Sequence, residues 1–558
     1  MPAGAFEIVI VVDGSTDGSA QALREVNPPC PLRVIEQTGR GASAARNQGI
    51  QAAQGDLLLF IDDDIVCGPD LFRLHVNAHN DSEPSVVHGS IAIDPETPES
   101  LLKYSTQSWY EQYYDRLAAQ NGLKLPEDNF LISNSSMPRQ LVIDCGGFDE
   151  NLKAKEDYEI GLRLWKSGVP FKFLPQSKAY EYFQKPAQFV MRNDGRVFGE
   201  TEILLSRKHP EYRPHSRFAS MGKTPWSKRA LRRILAEFPL DLTSVLNLPL
   251  SIFDRLSRFP VMRRAGDSLL GIGRSIIEIR SAVEQAGSWR AFEREFGVAL
   301  PSLLYHHVGP ARPGSVPGLT ISAAKFEQQM QWLADRGYTG ICPTAWLQWL
   351  REGKGLPDKP ILITFDDAYA DTAEYALPIL KKYGFGAAVF VVTERLGGTN
   401  TWDESQGSET LQLMTAEQIR NWAGQGIEFG GHSRTHAYLT QLSDVDLAAE
   451  VAGCEVDLFA LLGCPVLSFA YPYGEYNDAV RDVVQQHFKL AFTVEEGLNY
   501  LAGDPFLIRR AYVGPGDSLA EFALSARRGG TRKIRDWRIK LALRTRLRRG
   551  LGIDLTQP

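Results

Sequence analysis

The sequence predicts an α/β protein with two catalytic-sized domains joined by a mainly helical, basic segment. The chain has 558 residues, which is too long for one ordinary domain of about 100–200 residues. Short strand-forming runs alternate with helical patterns in two separate blocks, as in α/β proteins. The composition, 43% hydrophobic and 23% charged, is that of a globular chain and excludes bulk disorder.

Charge, cysteine use and hydropathy exclude other classes. A net charge of −6, with no recognisable RNA-binding module, predicts no nucleic-acid partner. The six cysteines include no C-x-x-C pair, so they fit neither a disulfide framework nor a cysteine zinc site, and a reducing compartment is expected. No apolar run approaches the roughly 18–20 residues that span a bilayer, and the first residues lack the order of a signal peptide. We therefore expect a cytoplasmic protein.

The first block, residues 1–190, begins with two apolar strands that each end in aspartate. The runs at 8–12 and 57–61 are of the kind that is buried on both faces of a parallel sheet. Asp13 follows the first strand, and three consecutive acids, 62–64, follow the second. Ligands of such sheets bind beyond the carboxyl ends of the strands, and adjacent acids are commonly relieved by a divalent cation. The alternative is a solvated acidic loop.

The connecting segment, residues 191–298, differs in composition from the two blocks. Basic pairs such as Lys228-Arg229 and Arg263-Arg264 are interleaved with apolar stretches at 240–253 and 269–279. Two interpretations stay open. The segment is either a helical connector that packs on both domains, or a set of amphipathic helices on an anionic membrane surface.

A second basic segment, residues 527–558, closes the chain. Between Arg527 and Arg549 it carries eleven lysines and arginines against the single acid Asp536. Each basic group near an anionic leaflet contributes about 1 kcal/mol of attraction. This tail therefore predicts peripheral contact with the inner face of the plasma membrane, and a solvated tail is the alternative.

The second α/β block comprises residues 299–526. Its strand-like segments are 302–308, 361–365, 387–392 and 466–470, and its helical stretches include 323–336 and 372–382. Asp366 and Asp367 follow one strand, and His432 and His436 come later at a spacing of i and i+4. Two histidines and one aspartate leave coordination positions open for water, as a catalytic metal site requires. Structural histidines are the alternative.

The first block resembles glycosyltransferase family 2, which has the GT-A fold. Five motifs carry this resemblance in order: V-D-G-S-T-D-G-S at 12–19, G-A-S-A-A-R-N-Q-G at 41–49, F-I-D-D-D at 60–64, G-G-F-D-E at 146–150 and E-D at 156–157. The ordered set is far more specific than any one motif. The resemblance implies a nucleotide-sugar donor. Asp13 would contact the nucleobase, Asp62 the ribose side, and Arg46 would also bind the donor, while Asp64 would bind the Mg²⁺ or Mn²⁺ that bridges the diphosphate.

Two residues are assigned to the acceptor by the same resemblance. Asp157 would be the general base that deprotonates the acceptor hydroxyl in an inverting transfer, a role that requires a carboxylate near the hydroxyl. It stands at the start of a helical pattern, so a helix N-cap is the alternative. Asn134 falls where the family lines its acceptor pocket.

The first block departs from the family at two places. The family opens with a strand and a helix before the Asp-Gly-Ser strand, whereas only seven residues precede Ile8 here. It also commonly has two acids where this chain has Val12 and Asp13. A missing first strand would remove part of the nucleotide wall. Either the start codon is assigned too late, which we favour, or the transferase domain is impaired.

The second block, with F-A-Y-P-Y-G at 469–474, resembles the polysaccharide deacetylases of the NodB-homology class. This resemblance implies a distorted (β/α) barrel in which Asp367, His432 and His436 bind Zn²⁺ or another divalent transition metal. Asp366 would act as the base. The backbone N–H of Tyr473 would help to bind the oxyanion.

Two further assignments concern the acid and the base of this second site. L-Y-H-H-V at 304–308 is similar to the branch that deacetylates poly-N-acetylglucosamine, which nominates His306 as the general acid, with His307 directed elsewhere. Many relatives have an arginine that orients the base where this chain has Ala470. We expect Arg509 or Arg510 to supply that guanidinium from another strand.

Together the blocks predict a bifunctional carbohydrate enzyme of bacterial cell-surface polysaccharide or glycolipid biosynthesis. It would transfer a sugar from a nucleotide-sugar donor with inversion and N-deacetylate an N-acetylhexosamine glycan, and its acceptor would be an N-acetylated glycan or a lipid-linked one. Two alternatives stay open. One is a deacetylase whose transferase-like domain only binds glycan or a partner, and the other is a non-catalytic scaffold.

Overall fold

The computed structural model describes residues 5–80, 83–120, 122–237, 242–310, 319–402 and 410–530. The chain divides into two units, one formed by Met1–Arg217 with Thr224–Phe292 and the other by Phe218–Lys223 with Glu293–Pro558. Most of the predicted connecting segment therefore clusters with the first unit. Of the predicted basic tail, Arg527 and Arg528 end the last helix, and residues 531–558 lie outside the described part of the chain.

The first unit combines strands and helices in alternation. Its strands are β1 (Ile8–Asp13), β2 (Leu32–Gln37), β3 (Leu57–Phe60), β4 (Ile65–Cys67), β5 (Val86–Ile93), β6 (Ser135–Pro138) and β7 (Phe171–Glu181). Its helices are α1 (Ser19–Glu25), α2 (Ala42–Ala52), α3 (Leu71–Ala78), α4 (Leu101–Ala119), α5 (Arg139–Asp144), α6 (Glu156–Lys166), α7 (Ala187–Lys208), α8 (Trp226–Glu237), α9 (Leu242–Arg255) and α10 (Pro260–Ala286).

The strands of this unit form two separate sheets. β1 and β2 are a parallel pair, and a mixed five-stranded sheet has the order β3-β6-β5-β7-β4. Among the described strands β1 pairs with β2 alone and β3 with β6 alone, so each has an open edge. The prediction that β1 and β3 are buried on both faces is therefore wrong, because most of their side chains are only half-buried.

The first turn of α6 carries acidic side chains while the rest of the helix anchors it in the core. Ile160 and Leu164 are buried against Phe130 and Met137. Their spacing of four residues places both on one face of the helix. The core contact thus fixes the helix end at which Asp157 stands.

Helices α7, α9 and α10 form a layer that we call the helical platform. Small residues allow α7 and α10 to approach closely: a Cβ on Gly199 would lie 2.3 Å from the carbonyl oxygen of Glu278. α9 packs its inner face on the same pair, with Leu250 buried beside Leu270. The platform is tied to α4, since the backbone N–H of Leu101 donates to Asp254 at 2.8 Å.

The second unit follows the same alternation. Its strands are β8 (Ser302–Tyr305), β9 (His307–Val308), β10 (Thr320–Ile321), β11 (Thr339–Ile341), β12 (Pro360–Phe365), β13 (Ala387–Val391), β14 (Ile427–Gly431), β15 (Ser468–Ala470), β16 (Leu490–Phe492) and β17 (Ala511–Tyr512). Its helices are α12 (Ala323–Asp335), α13 (Pro343–Glu352), α14 (Leu377–Tyr383), α15 (Ala416–Ala423), α16 (Asp444–Leu462), α17 (Asp478–His487) and α18 (Leu519–Arg528), and α11 (Trp289–Phe296) contains the boundary between the units.

Eight parallel strands of this unit form one curled sheet. The order is β16-β15-β14-β13-β12-β8-β17, with β11 also paired to β12. All six residues of β12 and all five of β13 are buried, as expected for a parallel sheet covered on both faces. The prediction of a mixed α/β protein with a distorted barrel in its second block is confirmed.

The described helices are too short or too polar for a membrane span. None of them combines at least 18 residues with sufficient apolar character to cross a bilayer.

The glycine contact between α7 and α10 generates a stability prediction. Gly199→Ala should lower the free energy of unfolding by about 1–3 kcal/mol, because the added methyl group meets the backbone of the facing helix. Gly271→Ala is the matched control on α10, where nothing lies within 4 Å of the added atom. There alanine should stabilise the helix by about 0.5–1 kcal/mol. Urea unfolding, with hydrogen exchange of the α7 and α10 amides, would measure both; equal effects would contradict the close packing.

Candidate active sites

Three side chains of the second unit converge where neighbouring parallel strands end. Asp367 follows β12, while His432 and His436 follow β14. The Nε2 atoms of His432 and His436 lie 3.5 and 3.3 Å from Oδ1 of Asp367. One ligand atom from each residue falls within 4.8 Å of the other two, and all three residues are buried. The structure thus brings the three predicted metal ligands together.

Hydrogen bonding shows that these atoms are available to a cation. His432 donates from Nδ1 to the carbonyl oxygen of Ala470 at 2.8 Å, which leaves its Nε2 with a lone pair facing Asp367. Oδ1 of Asp367 is buried and accepts no hydrogen bond from the described residues. Buried polar atoms are rarely left without a partner. The donor set of two imidazoles and one carboxylate therefore fits a divalent transition metal.

Burial and the neighbouring side chains determine the pKa values in this cluster. Burial disfavours the charged form of Asp367, yet the approach of His432 holds the pKa of its carboxyl well below the usual range. Burial lowers the pKa of His436 to about 3. His436 is therefore a neutral imidazole at neutral pH, which is the form that binds metal.

Backbone strain is concentrated at this site. Asp367, Ala368, Ser433, His436 and Tyr473 all have φ between 54° and 70°, in the left-handed region that side chains other than glycine rarely adopt. Such conformations cost of order 1–3 kcal/mol each and persist only where the surroundings enforce them. They turn the side chains of two ligands toward one point.

Glu450 of α16 holds the loop between the two histidines. Its carboxylate accepts from the backbone N–H groups of Arg434 and Thr435 at 2.9 and 3.0 Å and from the Thr435 hydroxyl at 2.7 Å. The N–H of His436 donates to Ser433 Oγ at 3.0 Å. These bonds stabilise the loop in its strained conformation.

Asp366 is paired with a buried arginine. Nη1 and Nη2 of Arg510 lie 2.6 and 2.8 Å from the two carboxylate oxygens of Asp366. Arg510 is fully buried, and its Nε donates to the carbonyl oxygen of Thr493 at 2.9 Å. Although burial opposes ionisation, the Arg510 guanidinium keeps the pKa of Asp366 below its ordinary value. The sequence left Arg509 open as the partner, but Arg509 lies outside this pair, 3.9 Å from Glu495.

The two consecutive histidines have different neighbours. His306 lies close enough to Asp366 and Asp367 for both charges to oppose the lowering of its pKa by burial, and its Nδ1 has no hydrogen-bond partner among the described residues. His307 instead places Nδ1 2.7 Å from Asp371 and packs against Tyr369.

Aromatic rings surround His436. Tyr473 lies edge-on at 4.4 Å between ring centroids, and Tyr438 stacks on Tyr473 at 3.9 Å. Trp402 stacks on His436 at 4.6 Å. Trp402 and Tyr438 were not predicted, because they stand outside the motifs and no spacing marks them.

In the first unit, Asp13 closes the loop that follows β2. Its carboxylate accepts from the backbone N–H groups of Arg40 and Gly41 at 2.8 and 2.6 Å and from the Gln37 amide at 2.7 Å. These bonds outweigh the effect of burial and lower the pKa of Asp13. The carboxylate therefore shapes the loop.

Arg46 bridges two acids. Its guanidinium lies 2.9 Å from Asp62 and 2.6 Å from Glu156, and the Ser133 hydroxyl also bonds to Asp62. Burial opposes the charge of Arg46, but the two carboxylates raise its pKa above the ordinary value. The predicted donor-binding residues Arg46 and Asp62 thus form one ionic unit.

Asp64 lies beside a lysine and a second acid. Oδ2 of Asp64 is 3.6 Å from Nζ of Lys185. Burial raises the pKa of Asp64, and burial together with the charge of Asp64 raises that of Glu181. Glu181 was not predicted, since it comes from β7, far along the chain. Within the described part of the chain no group of three metal-ligating side chains forms here.

Asp157 occupies the first turn of α6. The N-cap of this helix is Lys155, so the alternative that Asp157 is the cap is wrong. Burial, reinforced by the negative charge of Glu156, raises the pKa of Asp157 to about 7. A carboxyl with such a pKa can both accept and release a proton near neutrality.

Asn134 departs from its predicted role. The sequence placed it in the wall of the acceptor pocket, but its side chain is fully buried. The amide donates to the carbonyl oxygens of Ser90 and Ser177, both at 2.9 Å, and its oxygen lies 3.0 Å from Nε2 of His75. Every polar atom of the amide is occupied within the protein, so the side chain of Asn134 ties neighbouring strands together.

Comparisons with known proteins match the two units separately. Residues 2–141 match the family model of glycosyl transferase family 2, and residues 353–488 match that of polysaccharide deacetylase. YfnE of Bacillus subtilis (strain 168), an uncharacterized glycosyltransferase, is 28% identical over 218 residues, and the match covers 30% of this chain and 54% of that protein. YxkH of the same organism, named as a polysaccharide deacetylase, is 26% identical over 247 residues, 44% of this chain and 82% of that protein.

A third relative carries a substrate in its name. The poly-beta-1,6-N-acetyl-D-glucosamine N-deacetylase of Staphylococcus aureus (strain MSSA476) is 25% identical over 191 residues, which cover 32% of this chain and 63% of that protein. The chain therefore spans less than two thirds of this protein and of YfnE.

The ligand geometry generates a metal-binding prediction. His432→Ala should weaken Zn²⁺ binding by on the order of 100-fold or more, because one of three ligands is lost. His487→Ala is the matched control, since His487 pairs with Glu455 on another surface. Competition against a colorimetric zinc chelator would measure both. Equal zinc affinity in the two variants would show that the cluster is not the metal site.

Proposed function

We propose, for a chain that joins a glycosyltransferase family 2 segment to a polysaccharide deacetylase segment, that both activities serve one glycan. The first unit transfers a sugar from a nucleotide-sugar donor, and the second removes acetyl groups from N-acetylhexosamine residues. The name of the Staphylococcus aureus relative supports an N-acetylglucosamine polymer as the class of deacetylase substrate.

In the deacetylase site, Asp367, His432 and His436 would hold a zinc ion, which when bound polarises the acetyl carbonyl and acidifies water. Asp366 accepts the proton of the attacking water. Its two bonds to Arg510 keep the carboxylate ionised and fix its direction, so Arg510 is a positioning residue. This buried pair beside the ligand cluster is the observation that carries the proposal.

The departing amine needs a proton when the carbon–nitrogen bond breaks. His306 is the candidate donor, because its free Nδ1 and the nearby carboxylates of Asp366 and Asp367 place it at the reacting centre. The backbone N–H of Tyr473, in its strained turn, is a candidate donor to the oxyanion.

Arg510→Lys tests the positioning role. It should lower acetate release from N-acetylglucosamine oligomers, with Zn²⁺ added, by on the order of 10²-fold, because a single ammonium cannot replace the two-point bond. Since Arg510 holds the pKa of Asp366 low, its loss should also move the acid limb of the pH–rate profile to higher pH. Zinc affinity should stay within a few-fold of the parent protein.

The neighbouring Arg509→Lys is the matched control, because Arg509 is exposed and lies outside the pair. Asp366→Asn should abolish release. A normal rate and an unshifted profile in Arg510→Lys would contradict the role of the pair.

In the transferase site, Asp157 is the proposed base. It stands next to the Arg46–Asp62–Glu156 ionic unit, which supports the floor of the donor site. Asp64 would hold Mg²⁺ or Mn²⁺ together with the phosphates of the donor, since such ions are commonly bound through one or two carboxylates and substrate oxygens. Asp13 orders the loop that would contact the nucleobase.

The titration of Asp157 generates a pH prediction. A base is active when deprotonated, so nucleoside diphosphate release should fall about tenfold per unit as pH drops below about 7. Glu156→Gln should shift this limb to lower pH, because the neighbouring negative charge raises the pKa of Asp157. Initial rates with a panel of nucleotide sugars and Mn²⁺ would measure both, and Asp157→Asn should be inactive.

A second candidate function is a deacetylase with a non-catalytic first unit. The sheet topology favours it, because among the described strands β1 and β2 form a pair that is separate from the five-stranded sheet. Acetate release without any nucleotide binding would establish this alternative. Nucleoside diphosphate release that disappears in Asp157→Asn would exclude it.

The proposal also includes location. A nucleotide-sugar donor is available in the cytoplasm, and the basic segments of the chain would hold the protein at an anionic membrane surface.

A further inference from the structure

Helices α7 and α9 of the platform enclose a groove that neither candidate active site uses. It has a volume of about 520 Å³ and is lined by Gln188, Phe189, Arg192, Asn193, Arg196 and Asn247. Gln188 donates to the Ser251 hydroxyl at 2.5 Å, which fixes α9 against α7. The groove is therefore a formed feature of the platform.

Two arginines give the groove its charge. Arg192 and Arg196 are one helical turn apart and both are exposed. Neither guanidinium has an ion-pair partner among the residues that the structure describes. The nearest acids along the helix have other partners: Asp194 interacts with Arg274 and Lys185, and Glu200 pairs with Lys153. Two unpaired guanidiniums on one face repel each other and match an anion such as phosphate, which arginine binds through paired N–H groups.

An apolar stripe borders the groove. α9 exposes Val245, Leu248 and Ile252 by 67%, 71% and 50%, a set we call the outer stripe. Leu248 is the residue after Asn247, which lines the groove. Consecutive residues of a helix are about 100° apart around its axis, so the outer stripe lies next to the groove. The opposite face of α9 is packed, so the helix is apolar on two sides. Exposed apolar surface of this kind marks an interaction site.

Exposed apolar side chains also occur past the end of α9. Phe259, Val261 and Met262 are exposed large hydrophobic residues at the turn into α10. Arg255, Arg258 and Arg264 are exposed around them. Apolar side chains interleaved with arginine match a phosphate-bearing lipid better than a nucleic acid, because a hydrocarbon chain buries them while the phosphate meets the charges.

The groove begins at Gln188, in the first turn of the helix that follows the transferase site along the chain. Lys185, which lies beside Asp64, is two residues before the first residue of α7. Arg192 and Arg196 follow at about 8 and 14 Å along the helix from its first residue, at 1.5 Å per residue. A ligand held in the groove would therefore have one end directed toward the proposed transfer chemistry.

We infer that the groove and the outer stripe bind a lipid phosphate, which carries the acceptor of the transferase. The phosphate or diphosphate lies between Arg192 and Arg196, and the hydrocarbon chain covers Val245, Leu248 and Ile252. This assignment of the acceptor class rests on the proposed transferase function, but binding of the lipid itself does not.

Calorimetric titration of the full chain with three probes separates the parts of this ligand. The probes are farnesyl diphosphate, inorganic pyrophosphate and farnesol, which present both parts, the phosphate alone and the hydrocarbon alone. A chelator is present throughout, so that metal at the other sites binds no phosphate. We expect farnesyl diphosphate to bind at least tenfold more tightly than either of the other probes.

Paired variants locate the binding. Arg192→Gln with Arg196→Gln should weaken farnesyl diphosphate binding by about 10- to 100-fold, and Leu248→Gln with Ile252→Gln by about tenfold. Arg24→Gln with Arg73→Gln removes the same charge from exposed positions elsewhere in the first unit. Val445→Gln with Phe459→Gln removes exposed apolar groups from α16. Both controls should bind like the parent protein.

Two results would overturn the inference. If the Arg192 and Arg196 variant binds farnesyl diphosphate as tightly as its control, the groove is not the site. If pyrophosphate binds as tightly as farnesyl diphosphate and the stripe variant has no effect, the groove takes free phosphate and no lipid. Because the titration measures binding alone, its failure would leave nucleoside diphosphate release standing, and a failure of the transferase assay would leave the titration unaffected.

Discussion

The buried pair of Arg510 and Asp366 is the interaction on which the second unit depends. A guanidinium inside a curled sheet of apolar strands is tolerated only when a carboxylate and further acceptors satisfy it. Thr493 and Thr364 supply those acceptors, and the rings of Phe390 and Phe492 lie 5.6 and 5.7 Å from the charge. The pair therefore fixes the end of β12, and Asp367 must turn through a left-handed conformation to face the histidines. One electrostatic requirement thus sets the direction of two adjacent carboxylates.

Both units place their strained residues at their sites. Besides the five positions around the ligand cluster, Asn134 and Lys155 adopt positive φ in the first unit. Lys155 precedes the acidic turn of α6, and Asn134 immediately precedes β6, the strand that pairs with β3. The structures around them enforce these conformations through core contacts and saturated hydrogen bonds. Strain is therefore located where side-chain direction matters to the proposed chemistry.

Local patterns allowed the sequence to predict the elements that carry the chemistry, and long-range packing decided the rest. Strand-terminal acids and a pair of histidines four residues apart are local signals, and Asp367, His432 and His436 do converge. Only the three-dimensional structure could choose Arg510 over Arg509, since both stand beside the same strand. The sequence assigned Asn134 to the acceptor pocket from its position in the motif alone. In the structure, His75 and two carbonyl groups enclose its side chain. The burial of β1 and β3 was overestimated because a hydrophobic run does not reveal how many strands pair with it, and among the described strands each has one partner.

The stacking of Trp402 on His436 has a consequence for observing the deacetylase site. Indole emission responds to the electronic state of a ring in van der Waals contact, and these two centroids are 4.6 Å apart. When His436 gives its lone pair to a cation, the imidazole becomes electron-poor and quenches the adjacent indole differently. The site therefore contains its own optical reporter, which a difference between the parent chain and Trp402→Phe would isolate from the other tryptophans. Occupancy could then be followed in real time, without labels and without turnover.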